Sequence, residues 1–235
     1  MKTIRVTPLL LIVITASFAA CLGPVDPPKQ ANIFSLSITI PDAGQDYFVG
    51  NDTLVVVGYK MLIDSISAKK QAQEDEKFEP KLRLASYVYG FADYNLVGTG
   101  VVGGGRFNGV RYSVVRPSLL NTDLNDADLI ERDVTTGIVI DTYSISVTGI
   151  YNRKLFRFRS KVSRTVQYGF LNDVLLPDFN GYLEARLRGN WKQWFNNTEG
   201  NRILDPADPK NRGQIEENIL KYFDIFTISL GKVSQ

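Results

Sequence analysis

The sequence predicts an all-β protein, a two-sheet sandwich with one short helix near its C-terminal end. Short segments in which apolar and polar residues alternate recur along the chain, separated by glycine, proline and asparagine. Many short strands with turn signals between them are typical of a sandwich or barrel. Helical spacing is clear only for Ile215, Ile219 and Phe223, so helix is a minor component.

The strands of the first half follow from alternation and from β-branched residues. In residues 34–40 apolar residues alternate with Ser and Thr, the period of a half-buried strand. Residues 53–63 are apolar on both faces, as expected for a central strand. The charged segment 69–81 predicts a solvated loop or a short helix. Further strands are expected at 82–91 and 109–116, with the glycine-rich stretch 98–105 as a flexible turn between them.

The second half contains the clearest hairpin signal. Alternating segments at 141–151 and 154–168 flank Asn152-Arg153, and asparagine tolerates the left-handed backbone of a tight turn. The remaining elements are a strand at 181–187, a helix at 213–223 and a strand at 224–230.

The first twenty residues have the composition of an export signal. Lys2 and Arg5 precede an apolar run at residues 9–14, and small residues follow. The run is shorter than the roughly 20 apolar residues that span a bilayer. We therefore expect residues 1–20 to be a signal peptide that is removed.

The stretch Phe18-Ala19-Ala20-Cys21 contains the only cysteine of the chain and resembles the lipobox of bacterial lipoproteins. This resemblance implies cleavage before Cys21, a diacylglycerol thioether on its sulfur and acylation of its new amine. Leucine is the usual residue at the place of Phe18. The alternatives are a coincidental cysteine after an ordinary signal and a buried thiol. Several acyl chains on one residue would make membrane release negligible, since each buried CH₂ contributes about 0.8 kcal/mol.

Residues 21–33 are predicted to be the lipidated cysteine and an extended linker. The segment 22–33 carries three prolines and a glycine, and proline-rich chains extend by about 3.1 Å per residue, which gives a reach of about 35 Å. Residues 34–235 are expected to form a single domain. Leu22 follows Cys21, whereas Asp at this position would signal retention in the inner membrane. The outer membrane is therefore the expected location, with no prediction of its leaflet.

The charge balance argues against nucleic-acid binding. The chain has 27 Lys and Arg and 25 Asp and Glu, and the signal segment removes Lys2 and Arg5 but no acid. The part after the signal therefore carries no net charge, whereas a nucleic-acid-binding protein normally carries a basic patch or an excess of positive charge.

The residue types for common catalytic and metal chemistry are missing. The sequence has no histidine, the usual general base of triads and a common metal ligand. We expect no cofactor, no metal and no enzyme. Two alternatives stay open. One is a glycosidase-like enzyme with paired carboxylates. The other is a periplasmic protein that binds calcium or copper, with Asp123, Asp126, Asp128, Glu131 and Asp133 as the oxygen ligands for calcium.

The candidate ligand-binding residues form a basic group and an aromatic pair. On one predicted strand, alternation places the basic residues on one face and Phe156, Phe158 and Val162 on the other. If the two basic strands are neighbours, they form one patch for phosphate or carboxylate groups. The alternatives are a solvated face balanced by Asp141 and Glu184, and tryptophans packed in the core. The candidates are Arg157, Arg159, Lys161, Arg186, Arg188, Trp191 and Trp194.

Residues 106–230 resemble exported β-sandwich lipoproteins of unknown function that are frequent in Bacteroidetes. The likeness rests on the aromatic positions Tyr112, Phe156, Phe158, Trp194 and Phe195. It implies an immunoglobulin-like or carbohydrate-binding-like sandwich and no assigned activity. Copper-handling proteins associated with methanobactin share part of this pattern, but the lack of histidine does not favour copper transfer here.

Together these observations predict a membrane-anchored, non-catalytic envelope lipoprotein. Its expected partner is a glycan, a glycolipid or an envelope protein.

Overall fold

A computed structural model describes residues 29–71, 74–77, 83–90, 95–118 and 126–230. The predicted signal peptide and Cys21 lie outside these residues, so both stay predictions. Within the described ranges, no helix is long and apolar enough to cross a membrane.

The described residues are mostly strand. In chain order the strands are β1 (Asn32–Thr39), β2 (Tyr47–Val49), β3 (Asp52–Lys70), β4 (Glu76–Lys77), β5 (Arg83–Val88), β6 (Asn95–Val102), β7 (Gly105–Val114), β8 (Ile130–Arg132), β9 (Val139–Thr142), β10 (Ile145–Tyr151), β11 (Lys154–Ser160), β12 (Arg164–Leu176), β13 (Tyr182–Gly189) and β14 (Phe223–Leu230). The helices are α1 (Trp191–Trp194) and α2 (Arg212–Lys221), with a 3-10 turn at Pro209–Asn211.

Two sheets pack face to face, which confirms the predicted β-sandwich with a short C-terminal helix. The four-stranded sheet has the order β14-β13-β1-β6. In it β1 and β13 run parallel, whereas the other pairs are antiparallel. The sequence left this order open, because a parallel pair joins strands that are far apart in the chain.

The larger sheet is organised around the long strand β3. Its order is β11-β10-β3-β7-β12, and the short strands β2, β4 and β5 also pair with β3. The first half of β3 pairs with β10 and the second half with β7. Between these halves Ser65 adopts a positive φ of 54°, and the pairing with β7 shifts register there. Strands β8 and β9 form a separate hairpin.

The core lies between the sheets and is built from the alternating residues. In β1, Phe34, Leu36 and Ile38 are fully buried, and in β13 Leu183 and Leu187 are fully buried. These residues face inward because side chains of a strand alternate between the two faces of its sheet. The predicted inward faces of both strands are confirmed.

The predicted β10–β11 hairpin is also confirmed. Asn152 and Arg153 have φ values of 47° and 65°, as a two-residue type I′ turn requires. The Asn152 side chain reinforces the turn, because its Oδ1 accepts a hydrogen bond of 2.8 Å from the Thr53 backbone amide. Its Nδ2 donates to Asp52 over 2.8 Å.

Two loop predictions were wrong for part of their length. In the glycine-rich stretch 98–105 only Gly103 and Gly104 connect two strands, since β6 extends to Val102 and Gly98 and Gly100 pair with β1. At Gly98 a Cβ would lie 3.2 Å from Ile66 Cδ1, so the small residue serves close packing. The charged segment 69–81 also contributes to the sheet, through the end of β3 and the two-residue strand β4.

Candidate functional site

The basic residues of β11 lie on the outer face of the larger sheet, as predicted. Phe158 is buried in the core, and Phe156 and Val162 pack against the core. Arg157 and Lys161 extend to the opposite side and are about half exposed.

These cations are paired with acids of the segment 126–141. Arg157 lies 3.3 Å from an oxygen of Asp128, and Arg159 lies 3.1 Å from Glu131. Lys161 lies 2.5 Å from Asp141, which confirms the expected balancing role of Asp141. The predicted basic face is therefore a set of ion pairs.

The idea of one patch shared by two basic strands is wrong. Arg186 and Arg188 belong to β13, in the other sheet. The Arg186 guanidinium makes a bidentate pair with Glu184, with contacts of 2.8 and 2.9 Å. The Arg188 guanidinium lies 5.8 Å from the ring centre of Phe226.

The proposal of Trp191 and Trp194 as ligand-stacking residues needs correction. Their side chains are only 1% and 0% exposed. Both indole nitrogens are satisfied internally, since Trp191 Nε1 donates to Pro41 O at 3.0 Å and Trp194 Nε1 donates to Tyr222 O at 3.2 Å. Both rings act in the core, because a buried ring cannot offer its face to a sugar.

The outer face of the larger sheet has a pocket that was not predicted from the sequence. Its volume is about 270 Å³, and we call it the Lys60 pocket. Polar groups and an apolar wall both line it. The residues used below are Lys60, Val88, Tyr89, Asp128, Ser146 and Thr148.

Strand register brings the floor of the Lys60 pocket together. Ser146 and Thr148 of β10 lie opposite Lys60 and Gly58 of β3. On one face of an antiparallel pair, opposite residues have Cβ atoms about 4.5–5.5 Å apart. A Cβ at Gly58 would lie 2.5 Å from Thr148 Oγ1, so glycine leaves the room that this hydroxyl occupies.

Lys60 carries a firmly held positive charge at one end of the pocket. Its ammonium lies 2.7 Å from Asp126 and 2.7 Å from Asp128. Burial acts to lower the pKa of Lys60, but the hydrogen bonds and charges of the two carboxylates outweigh it and raise the pKa. Lys60 therefore stays charged at neutral pH.

Ser146 supplies a polar atom without a partner. The residue is 2% exposed, and its Oγ has no hydrogen-bond partner among the described residues. A buried hydroxyl without a partner costs about 1–3 kcal/mol. Because this oxygen is enclosed, a ligand in the pocket does not reach it in this structure. Thr148, which is only partly buried, supplies the lining hydroxyl.

Tyr89 forms an aromatic wall with a defined orientation. A Cβ on Gly44 would lie 2.7 Å from Tyr89 Cζ and 2.8 Å from both Cδ atoms. One face of the ring therefore lies against the Gly44 backbone, while the residue remains 56% exposed. Val88 beside it is 38% exposed and extends the apolar wall.

One sequence signal could have located the pocket. Lys60 is the only charged residue within the apolar segment 53–63, and a charge inside a central strand is seldom buried without partners. Those partners, Asp126 and Asp128, come from a distant loop. Because they lie far from Lys60 in the chain, no local pattern predicted the site.

The described residues include no group of three His, Cys, Asp or Glu side chains arranged to hold a metal ion. Of the acids considered for calcium, Asp126 and Asp128 bind Lys60, and Asp123 lies outside the described residues.

Fold and pocket together define a β-sandwich with a pocket of mixed polar and apolar lining on its outer face. No protein-family model and no curated protein matches the chain. Among solved structures the chain is similar to MbnP from Methylosinus trichosporium, with 8% identity and a TM-score of 0.36. The match covers 86% of this chain and 99% of that chain. This likeness is too distant to carry a function across.

Proposed function

We propose that the chain is an exported, non-catalytic lipoprotein, anchored in the outer membrane through Cys21, that binds a glycan in the Lys60 pocket. One observation carries the binding role: the Lys60 pocket combines the polar Lys60, Asp128 and Thr148 with the exposed Tyr89 and Val88.

The combination of an apolar wall and a polar floor favours a sugar over a protein surface. A sugar ring has an apolar face of C–H groups and an edge of hydroxyls. The first matches Tyr89 and Val88, and the second matches Lys60, Thr148 and Asp128. A concave site of this size is typical of small ligands, whereas protein interfaces bury about 800 Å² on each partner.

The state of Lys60 supports a non-catalytic role. A lysine opposite a buried serine could activate it as a nucleophile only if the amine were neutral. The two carboxylates raise the pKa of Lys60 against the effect of burial, so its amine is protonated and cannot take the serine proton.

The anchor is tested by fractionating cells that express the wild type or Cys21→Ser. We expect the wild type in the outer-membrane fraction and the variant in the soluble fraction, with its signal processing altered. Membrane association unchanged by Cys21→Ser would refute the anchor. Protease treatment of intact cells then assigns the leaflet, since only a protein that faces outward is degraded.

The binding role is tested with full-length protein on immobilised glycans, in a detergent without sugar headgroups. We expect Tyr89→Ala to reduce glycan binding at least tenfold, because stacking on the ring is lost. Phe226→Ala is the matched control, since Phe226 is 50% exposed on the other sheet. Equal losses of glycan binding in both variants would overturn the proposed glycan-binding role. Failure of the wild type to retain any glycan would also overturn it.

A further inference from the structure

We propose that the Lys60 pocket takes a single uncharged pyranose unit and discriminates against acidic and amino sugars. This inference rests on the proposed glycan binding and specifies its ligand. It follows from the size of the pocket, its charge balance and the hydrogen-bonding groups that remain free.

The size limits the ligand to one ring. The pocket volume is about 270 Å³, just below the range of about 300–1,000 Å³ for sites of drug-sized molecules. Tyr89 and Val88 form one wall, and the floor is closed by Ser146 and Thr148. A longer glycan therefore inserts one unit and leaves the rest in solvent.

The charges around the pocket cancel. Around the pocket three cations pair with three carboxylates, at distances from 2.7 to 3.3 Å between paired atoms. A ligand carboxylate would compete with two acids for one ammonium, and a ligand amine would approach that ammonium. Either charge would be desolvated without a free counterion. The paired residues are Lys60, Arg157, Arg159, Asp126, Asp128 and Glu131.

The remaining donors and acceptors match neutral hydroxyls. An ammonium has three donors, and Lys60 uses two of them on Asp126 and Asp128. Each carboxylate oxygen has a second lone pair, so Asp128 can still accept from a hydroxyl. Thr148 Oγ1 can donate or accept. A hydroxyl, which both donates and accepts, satisfies all three groups without adding charge.

The experiment is a titration of full-length protein, in a detergent without sugar headgroups, followed by ligand-observed NMR. The uncharged probes are the methyl glycosides of glucose, galactose and mannose, together with N-acetylglucosamine. The charged probes are glucuronic acid and glucosamine. We expect at least one uncharged probe to bind tenfold or more tightly than both charged probes.

Thr148→Val tests whether the binding occurs in this pocket, because it removes a lining hydroxyl and keeps the shape of the side chain. Thr148 is only partly buried, so the variant should remain folded. We expect it to weaken the best uncharged probe about fivefold. Thr99→Val is the control, because Thr99 is exposed on β6, in the other sheet.

The outcomes separate this inference from the proposed function. Equal or tighter binding of glucuronic acid or glucosamine would overturn the uncharged ligand and leave glycan binding intact. Full binding by Thr148→Val would show that the sugar does not bind in the Lys60 pocket. Failure of every sugar to bind would overturn both proposals.

Discussion

Lys60 and Ser146 lie directly opposite each other on β3 and β10, yet their side chains do not bond to each other. The Lys60 ammonium binds Asp126 and Asp128, each over 2.7 Å. The Ser146 hydroxyl has no partner among the described residues. A loop far along the chain thus pairs with the cation, and the hydroxyl stays buried beside it.

The Lys60 ion pairs should contribute measurably to stability. Lys60→Met leaves two partly buried carboxylates without their shared cation, and we expect a loss of about 1–3 kcal/mol in the free energy of unfolding. Lys192→Met is the control, because the Lys192–Asp42 pair is more exposed, with side-chain exposures of 36% and 47%. Its expected loss is at most about 1 kcal/mol. Urea denaturation measures the free energy of unfolding of both variants. Similar losses would contradict a stabilising role for the Lys60 ion pairs.

Trp194 should be a major determinant of core stability. Its ring centre lies 4.9 Å from that of Tyr59 and 5.4 Å from that of Phe223. Trp194→Ala opens a cavity and removes these contacts, so we expect a loss of about 3–5 kcal/mol. The exposed Phe226→Ala should change stability by about 0.5 kcal/mol or less. Thermal and chemical denaturation of both variants measure these changes in stability. A mild effect of Trp194→Ala would place the ring outside the core.

The β10–β11 turn can be improved at one position and damaged at the other. Arg153 has a φ of 65°, a conformation that favours glycine, so we expect Arg153→Gly to stabilise the protein by about 0.5–1 kcal/mol. Asn152→Ala should destabilise it, because the bonds to Thr53 and Asp52 are lost. The two denaturation midpoints should move in opposite directions. A shift in the same direction would argue against this turn geometry.

Two glycines of the larger sheet should respond differently to alanine. A Cβ at Gly149 would overlap the carbonyl oxygen of Val55, so Gly149→Ala forces the backbone apart, with an expected loss of about 3 kcal/mol or more. At Gly169 the nearest atom to a Cβ is Asn108 O at 3.9 Å, an ordinary contact. We expect Gly169→Ala to fold normally. The melting temperatures of the two variants test this contrast.

Glu184 should make stability depend on pH in the acidic range. Hydrogen bonds from Arg186 hold the pKa of Glu184 below its usual value, burial opposes this, and Ser37 adds to the lowering. A lowered folded-state pKa contributes stability above the unfolded value of about 4.3, and this contribution is lost as pH falls through the folded-state pKa.

We therefore expect the urea midpoint of the wild type to fall more steeply than that of Glu184→Gln between pH 6 and pH 3. Parallel curves for the two proteins would show that the Arg186–Glu184 pair does not couple stability to pH.

The strands and the hairpin could be predicted because their signals are local. Alternation in β1 and the Asn152-Arg153 turn depend on neighbouring residues, whose backbone preferences hold in most contexts. The glycines of β6 misled the prediction, since Gly98 also signals flexibility. Its role depends on the close approach of Ile66, which no local pattern reports.

By itself, the sequence determined the all-β class, the C-terminal helix, and the basic face of β11. Only the tertiary structure decided that Arg157 and Arg159 meet carboxylates, that Trp191 and Trp194 lie in the core, and that Lys60, Ser146 and Tyr89 share a pocket. The physical reason is the distance along the chain between the residues that interact. Strand periodicity depends on residues two apart, whereas burial and ion pairing depend on which distant segments the sheets bring together.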